Sequence, residues 1–185
     1  MDRRRFLGAS LGSLALTSIA GPARLVLAQT CAERTAPNIE GPFYRPGAPL
    51  RSALDDRAGL QIAGAVRDTS CRPMRDAVME VWQADASGEY DLAGDRFRGQ
   101  LRTDANGRFF IQTIQPGRYL NGGTYRPAHI HVKVHANGRP PLTTQLYFPG
   151  DPYNERDPWF DARLLLSLPP PGCGPIQHAS FDFVV

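Results

Sequence analysis

The chain has 185 residues, of which 21 are basic, 18 are acidic and three are cysteine. This length is sufficient for one domain with a substantial hydrophobic core. The formal net charge of +3 is small and comes from the first residues of the chain, so the composition does not support a nucleic-acid-binding function.

The first 28 residues have the pattern of an export signal. Residues 3–5 are arginines, residues 8–23 are uncharged and rich in Leu, Ala, Ser and Gly, and Val26-Leu27-Ala28 fits a small-residue cleavage site. A membrane anchor is the alternative, but the glycines and the proline make this stretch a poor spanning helix. We therefore predict a twin-arginine signal peptide at residues 1–28, export by the twin-arginine machinery to the periplasm or the medium, and no stable membrane anchor.

Removal of this segment cancels the charge excess. Residues 1–28 contain four arginines and one aspartate, so the mature chain has 17 basic and 17 acidic side chains, and we expect no nucleic-acid partner. Three cysteines, Cys31, Cys71 and Cys173, allow one disulfide in an oxidising compartment. Their wide spacing argues against a cysteine metal cluster, and the sequence leaves open which pair forms.

The mature chain is predicted to contain an arm followed by one β-domain. Residues 29–58 carry four prolines, which disfavour helices and central strands and predict an extended arm. Short β-type runs separated by turn residues then predict an all-β domain at residues 59–185, an antiparallel β-sandwich with long loops. These runs are Leu60–Val66, Ala77–Gln83, Arg108–Ile114, His129–Val134, Thr143–Phe148 and Phe181–Val185. Only Asp157–Leu166 is predicted to be helical, with Pro158 in its first turn.

Two histidines, His129 and His131, stand two residues apart in one of these runs. Side chains at this spacing point to the same face of a strand, whereas the apolar residues between and after them point to the other face. Tyr90 and Tyr119 lie in turn-rich segments just beyond two predicted strands. Tyrosines at strand ends can converge with the imidazoles on a common centre.

This combination of side chains favours a particular metal. Phenolate is a hard anionic donor that prefers trivalent iron to a divalent ion, and two phenolates with one hydroxide balance iron(III) bound to two neutral imidazoles. Binding to such a cation would remove the phenolic protons. The alternatives are that the histidines form a solvated or structural pair and that the tyrosines are ordinary loop or core aromatics. His135 and His178 are interpreted as surface residues without partners.

The order of these motifs resembles that of the intradiol ring-cleavage dioxygenases, the family of protocatechuate 3,4-dioxygenase and catechol 1,2-dioxygenase. The resemblance covers about residues 41–150, and Arg126–His131 is its most specific segment. The other matching segments are Gly41–Tyr44, Val81–Ala84 continuing to Gly88–Tyr90, Thr113–Tyr119 and Thr144–Phe148.

The resemblance implies one non-haem iron(III) per chain and a set of roles for the site residues. The implied ligands are Tyr90 and His129 in the equatorial plane and Tyr119 and His131 along the axis. Tyr119 would also accept a proton from the substrate, Arg126 would stabilise negative charge on the substrate, and Gln145 would help to shape the pocket. The implied reaction uses O2 to cleave the ring of a catechol-type substrate to a muconate-type diacid.

The chain departs from protocatechuate 3,4-dioxygenase two residues after Tyr119, where Asn121 replaces a tryptophan. We therefore expect a more open or more polar wall, lined by Asn121, with Tyr44 as a candidate at the pocket mouth. The sequence leaves open whether the substrate is catechol, hydroxyquinol, protocatechuate or a lignin-derived relative. It also leaves open whether the protein forms homo-oligomers.

Two other functions compete with this interpretation. The first is a non-catalytic, exported β-sandwich that binds a ligand, which the loss of a metal-ligand residue would indicate; all four are present. The second is a facial-triad iron(II) oxygenase, in which a carboxylate such as Asp85 or Glu89 would complete the two histidines.

Overall fold

A computed structural model describes residues 31, 33–57, 59–170 and 174–185 of the chain. Its regular elements are almost all β-strands, as the sequence predicts. In chain order they are β1 (Leu60–Arg67), β2 (Val78–Gln83), β3 (Arg98–Arg102), β4 (Arg108–Thr113), β5 (Tyr119–Asn121), β6 (Thr124–Arg126), β7 (His129–His135), β8 (Leu142–Tyr147), β9 (Gln177–Ser180) and β10 (Phe183–Val184).

The strands form two sheets and a separate hairpin. One sheet is antiparallel throughout, in the order β3-β2-β7-β8. The other is built on β1, which pairs antiparallel with β4 and parallel with β9 and β10. Strands β5 and β6 form the hairpin. The prediction of a β-sandwich is confirmed, with the difference that the returning C-terminal strands join β1 in parallel.

The hydrophobic core consists of the apolar side chains that alternate along the strands of both sheets. On β7, Ile130, Val132 and Val134 are fully buried, while the residues between them point to the opposite face. Burial of each such side chain contributes roughly 1.5–3 kcal/mol of hydrophobic free energy. This core fixes the orientation of β7 and therefore the direction of its two histidines.

All six predicted β-runs form strands, with ends that differ by one or two residues. The helix predicted at Asp157–Leu166 is wrong, because the structure has two short 3-10 turns, Asn154–Arg156 and Ala162–Leu164, on either side of a turn in which the Phe160 N–H donates to Asp157 O at 3.0 Å. The Asp161 side chain accepts from the Arg163 backbone N–H and caps the second turn. The chain then pairs with the end of β8, where the Leu166 N–H donates to Tyr147 O at 2.9 Å.

The described part of the N-terminal arm forms hydrogen bonds with strands of both sheets. A disulfide joins Cys31 to Cys71 in the turn after β1, which answers the pairing question for these two residues. Further along the arm, the Asn38 N–H donates to Thr143 O at 2.8 Å. The predicted signal peptide and Cys173 lie outside the described residues. Within the described part of the chain, no helix has the length and apolar character needed to cross a membrane.

Candidate metal centre

Strand β7 places the two histidines side by side on the face opposite the core. The Nε2 atoms of His129 and His131 are 3.2 Å apart, and both side chains are almost completely buried. Register fixes their neighbours, since His131 lies between Trp82 on β2 and Gln145 on β8. The predicted pairing of the two imidazoles on one face is therefore present in the structure.

The two tyrosines reach the histidines from the ends of other elements. Tyr90 lies in the loop after β2, and its Oη is 3.4 Å from His129 Nε2. Tyr119 begins β5, and its ring centroid lies 5.6 Å from that of Tyr90 and 5.7 Å from that of His129. The structure thus brings together all four residues that the sequence proposes as ligands.

Both histidines are neutral in this environment. Burial, reinforced by the charge of Arg126, lowers the pKa of His129 to about 3. Burial also lowers the pKa of His131 well below its usual value, and the neighbouring His129 adds to the effect. His129 Nδ1 lies 2.8 Å from the Pro127 carbonyl oxygen, which can only accept, so Nδ1 carries the hydrogen and Nε2 presents a lone pair.

The donor set fits a hard trivalent cation. His131 Nδ1 has no hydrogen-bond partner in the described part of the chain and can carry the ring hydrogen, which leaves its Nε2 lone pair for a metal. Burial raises the pKa of Tyr90 well above its usual range, and a bound cation would reverse that effect by favouring the phenolate. Two phenolates and two neutral imidazoles match iron(III) better than a divalent ion.

Within the part of the chain that the structure describes, no carboxylate joins the two histidines in a metal-binding group. In the described residues, no group of three or more His, Cys, Asp or Glu side chains could hold a metal. Asp85 instead accepts hydrogen bonds from its own loop, from Ser87 and from the Glu89 backbone N–H, and the Glu89 side chain is exposed. The arrangement therefore gives no support to a facial-triad iron(II) site.

Aromatic rings and one glycine form the walls of the centre. Phe43 of the arm stacks on Tyr90 with centroids 4.1 Å apart, and Trp82 stacks on His131 with centroids 4.8 Å apart. Gly41 has φ +73°, and a Cβ at this position would lie 3.3 Å from His131 Cε1. A side chain there would be strained and would press on the imidazole, so the Gly41-Pro42-Phe43 segment brings the backbone close to the site.

Arg98, which sequence reasoning missed, joins the arm to the Tyr90 loop. Its guanidinium donates to Phe43 O at 2.7 Å and to Asp91 O at 3.1 Å, and the side chain is buried. These two contacts hold the residues that stack on and follow Tyr90. The signal in the sequence was weak, because an arginine at the start of a short strand is usually exposed.

Arg126 and Gln145 lie beside the four ligand candidates. Arg126 Nη1 is 3.2 Å from Tyr119 Oη and 3.4 Å from His129 Nε2, while Nη2 donates to Gln145 Oε1 at 2.9 Å. Gln145 Nε2 donates in turn to Ile39 O of the arm at 2.9 Å. Gln145 therefore connects the guanidinium to the arm that closes the site.

The remaining candidates lie farther out. The Tyr44 hydroxyl donates to Glu80 at 3.1 Å, so Phe43 rather than Tyr44 contacts the ligand set. Asn121 is exposed at the end of β5. The interpretation of His135 as a residue without a partner is wrong, because its Nε2 lies 2.7 Å from Glu80 Oε1; burial of Glu80 makes such a partner favourable. His178 is exposed on β9, as expected.

Comparison with known proteins identifies the family. The family described as Dioxygenase matches residues 39–166, more than half of the chain and all four ligand candidates. The chain belongs to the intradiol dioxygenase family. The resemblance found in the sequence is therefore confirmed, and with it the assignment to a class of oxidoreductases.

Solved structures of dioxygenases are similar to this chain in fold. The dioxygenase domain of a dioxygenase and carbohydrate-binding protein fusion from Streptomyces sp. SirexAA-E is 42% identical with a TM-score of 0.75, covering 83% of this chain and 98% of that chain. The 3-chlorocatechol 1,2-dioxygenase of Rhodococcus opacus 1CP is 34% identical with a TM-score of 0.75, covering 82% of this chain and 72% of that chain.

Curated relatives are similar over part of their length. A chlorocatechol 1,2-dioxygenase from a Pseudomonas species is 31% identical over 174 residues, covering 80% of this chain and 69% of the relative. A chlorocatechol 1,2-dioxygenase from Rhodococcus opacus is 33% identical, and the match covers 64% of that relative. The chain thus spans about two thirds of the length of these relatives.

Proposed function

We propose that the protein is a non-haem iron(III) dioxygenase that uses O2 to cleave the ring of a catechol-type substrate between its two hydroxylated carbons, giving a muconate-type diacid. One observation carries this proposal: two buried imidazoles with Nε2 atoms 3.2 Å apart face two tyrosines, and among the described residues no carboxylate joins them in a metal-binding group. Relatives named as chlorocatechol and catechol 1,2-dioxygenases support the substrate class.

The four side chains Tyr90, Tyr119, His129 and His131 would hold one iron(III) per chain. When bound, iron(III) would act as a Lewis acid and template that draws electron density from a chelated catechol. The protein supplies the shape of the site, because β7 fixes both imidazoles and the rings of Phe43 and Trp82 pack on Tyr90 and His131. These contacts exclude water from two sides of the donor set.

Tyr119 and Arg126 are the residues that would act on the substrate's charge. A catechol must lose two protons to bind as a dianion, and Tyr119 Oη is the protein atom that can accept one of them. Arg126 Nη1 lies 3.2 Å from that oxygen, so its fixed positive charge stands where negative charge develops. Gln145 holds the other guanidinium nitrogen and the arm, which keeps the guanidinium in place.

We also propose that the protein works outside the cytoplasm, exported by the twin-arginine machinery. The arginines at residues 3–5 and the small-residue cleavage pattern support this. The disulfide between Cys31 and Cys71 supports it independently, because disulfides persist in oxidising compartments.

The decisive experiment is a visible absorption spectrum of the iron(III)-loaded mature protein, before and after catechol is added without oxygen. We expect a broad tyrosinate-to-iron(III) charge-transfer band that shifts when catechol binds. His131→Ala should lose most of the iron, while Asp161→Asn, on an exposed ion pair, serves as the control. A colourless protein after iron(III) loading would reject the phenolate site, and full metal content in His131→Ala would reject that ligand.

A further inference from the structure

A buried ion pair lies behind the candidate catalytic arginine. Asp157 Oδ2 accepts from Arg126 Nη2 at 2.8 Å, and the two side chains are 4% and 0% exposed for Arg126 and Asp157. Asp157 follows a 3-10 turn and begins a second turn, in which its carbonyl oxygen accepts from the Phe160 N–H at 3.0 Å and its carboxylate lies near the Tyr147 hydroxyl at the end of β8. No role in the site was predicted for it from the sequence, because it lies in the segment interpreted as a helix.

The two terminal nitrogens of the Arg126 guanidinium have different contacts. Nη2 donates to Asp157 and to Gln145 Oε1, at 2.8 and 2.9 Å. Nη1 points the other way, toward Tyr119 Oη at 3.2 Å. The Trp159 ring covers one face of the guanidinium, 4.6 Å from its Cζ. The orientation of the plane is therefore fixed from one end and one face.

The Asp157 carboxylate is itself held by contacts with its own turn and with Tyr147. Asp157 Oδ1 accepts from the Trp159 backbone N–H at 3.4 Å, and Oδ2 lies 3.5 Å from the Tyr147 hydroxyl. That hydroxyl also reaches the Trp159 carbonyl oxygen at 3.1 Å. The same turn thus holds both the carboxylate and the ring that stacks on Arg126.

The pair also sets the charge of the site. The Asp157 carboxylate lies 2.8 Å from the guanidinium and balances its positive charge within a buried pair. A buried guanidinium without a counter-charge is strongly unfavourable. Removal of the carboxylate would leave a full positive charge whose remaining anionic neighbour would be the Tyr119 oxygen.

We propose that Asp157 is the positioning residue of the site: it fixes the guanidinium plane of Arg126 toward Tyr119 Oη and neutralises part of its charge, so that the guanidinium does not draw electron density away from the Tyr119 oxygen. Asp157 acts through Arg126 and does not touch the substrate. This inference rests on the proposed function, since it assigns Tyr119 as a metal ligand and proton acceptor.

The test compares Asp157→Asn and Asp157→Glu with Asp161→Asn, a matched loss of a carboxylate from an exposed arginine pair four residues away. Each variant is loaded with iron(III) and measured for iron content, charge-transfer maximum, kcat and KM. Asp157→Asn should keep its iron, shift the band to shorter wavelength because the unpaired guanidinium withdraws charge from the phenolate, and lower kcat about 10- to 100-fold with a smaller change in KM.

Asp157→Glu keeps the counter-charge but lengthens the side chain by one methylene, which displaces the guanidinium. It should keep the band of the unmodified protein while kcat falls, and it carries the test if Asp157→Asn does not fold. Asp161→Asn should match the unmodified protein in all four measurements. If Asp157→Asn also matched the unmodified protein in all four measurements, or if Asp157→Glu had an unchanged kcat, this inference would be overturned and the proposed function would stand. An unmodified protein without the band would overturn the proposed function, and this inference with it.

Discussion

Acid should destabilise the metal-free protein through its two buried histidines. Both have pKa values in the folded state below their usual value, His129 to about 3 and His131 in the same direction, chiefly because of burial. In the unfolded chain both would titrate near pH 6.5. The unfolded state therefore binds more protons, so this contribution to stability is present above about pH 6.5 and is lost as the pH falls toward the folded-state values.

The size of the effect follows from proton linkage. Each histidine that is neutral when folded and protonated when unfolded changes the free energy of unfolding by about 1.4 kcal/mol per pH unit well below pH 6.5. For the two together this amounts to roughly 4 kcal/mol between about pH 7 and pH 5. Carboxylates contribute little in this range because they remain ionised. Arg126, Tyr90 and Tyr147 face the imidazoles, and because their pKa values are raised, they do not change charge in this range.

The assay is urea unfolding of chelator-treated protein at several pH values, with His131→Gln and the double variant His129→Gln/His131→Gln alongside. The single variant should show about half of the pH-dependent loss and the double variant almost none of it. His135 and His178 are common to all three proteins, so they cancel in the comparison. If the double variant had the same dependence on pH as the unmodified protein, the histidines would not be the buried neutral groups that the structure indicates.

Three further predictions test other parts of the structure. Tyr119→Phe should keep iron but slow the anaerobic binding of catechol in stopped-flow spectra; unchanged kinetics would remove Tyr119 as the proton acceptor. Gly64→Ala should lower the free energy of unfolding in urea by about 3 kcal/mol, because its Cβ would lie 1.8 Å from a backbone oxygen. Gly59→Ala, whose Cβ would have open space, is the control, and equal losses in the two variants would refute this. Cys71→Ser removes the disulfide to Cys31, 40 residues away in the sequence, and should lower the free energy of unfolding by about 4 kcal/mol. An unchanged unfolding midpoint would show that the disulfide does not stabilise the fold.

The four candidate ligands could be singled out in the sequence because the evidence for them is local. His129 and His131 are two residues apart on a strand whose other face is apolar, and this alternation requires no knowledge of the rest of the fold. Tyr90 and Tyr119 were recognisable because each follows a predicted strand and precedes or follows turn residues. The fold class followed from the same kind of evidence, the spacing of short β-runs and turns.

The supporting contacts were not predictable because each joins distant parts of the chain. Phe43 stacks on Tyr90, Gln145 binds Ile39, and Arg98 donates to the arm. None of these residues lies in a periodic pattern that marks it as part of a site. Strand β3 was missed for a related reason, since its buried arginine resembles an exposed one in the sequence.

The helix predicted at Asp157–Leu166 had the largest consequence for function. Pro158 suits the first turn of a helix, but Leu165 instead pairs with Tyr147 at the edge of β8, and the Leu166 N–H donates to the Tyr147 carbonyl oxygen. Before that, a turn in which the Phe160 N–H donates to Asp157 O brings the Asp157 carboxylate and the Trp159 ring to the same guanidinium. A helix would carry side chains two residues apart to directions about 160° from one another around its axis, so the pair that holds the guanidinium depends on the turn that stands in place of the helix.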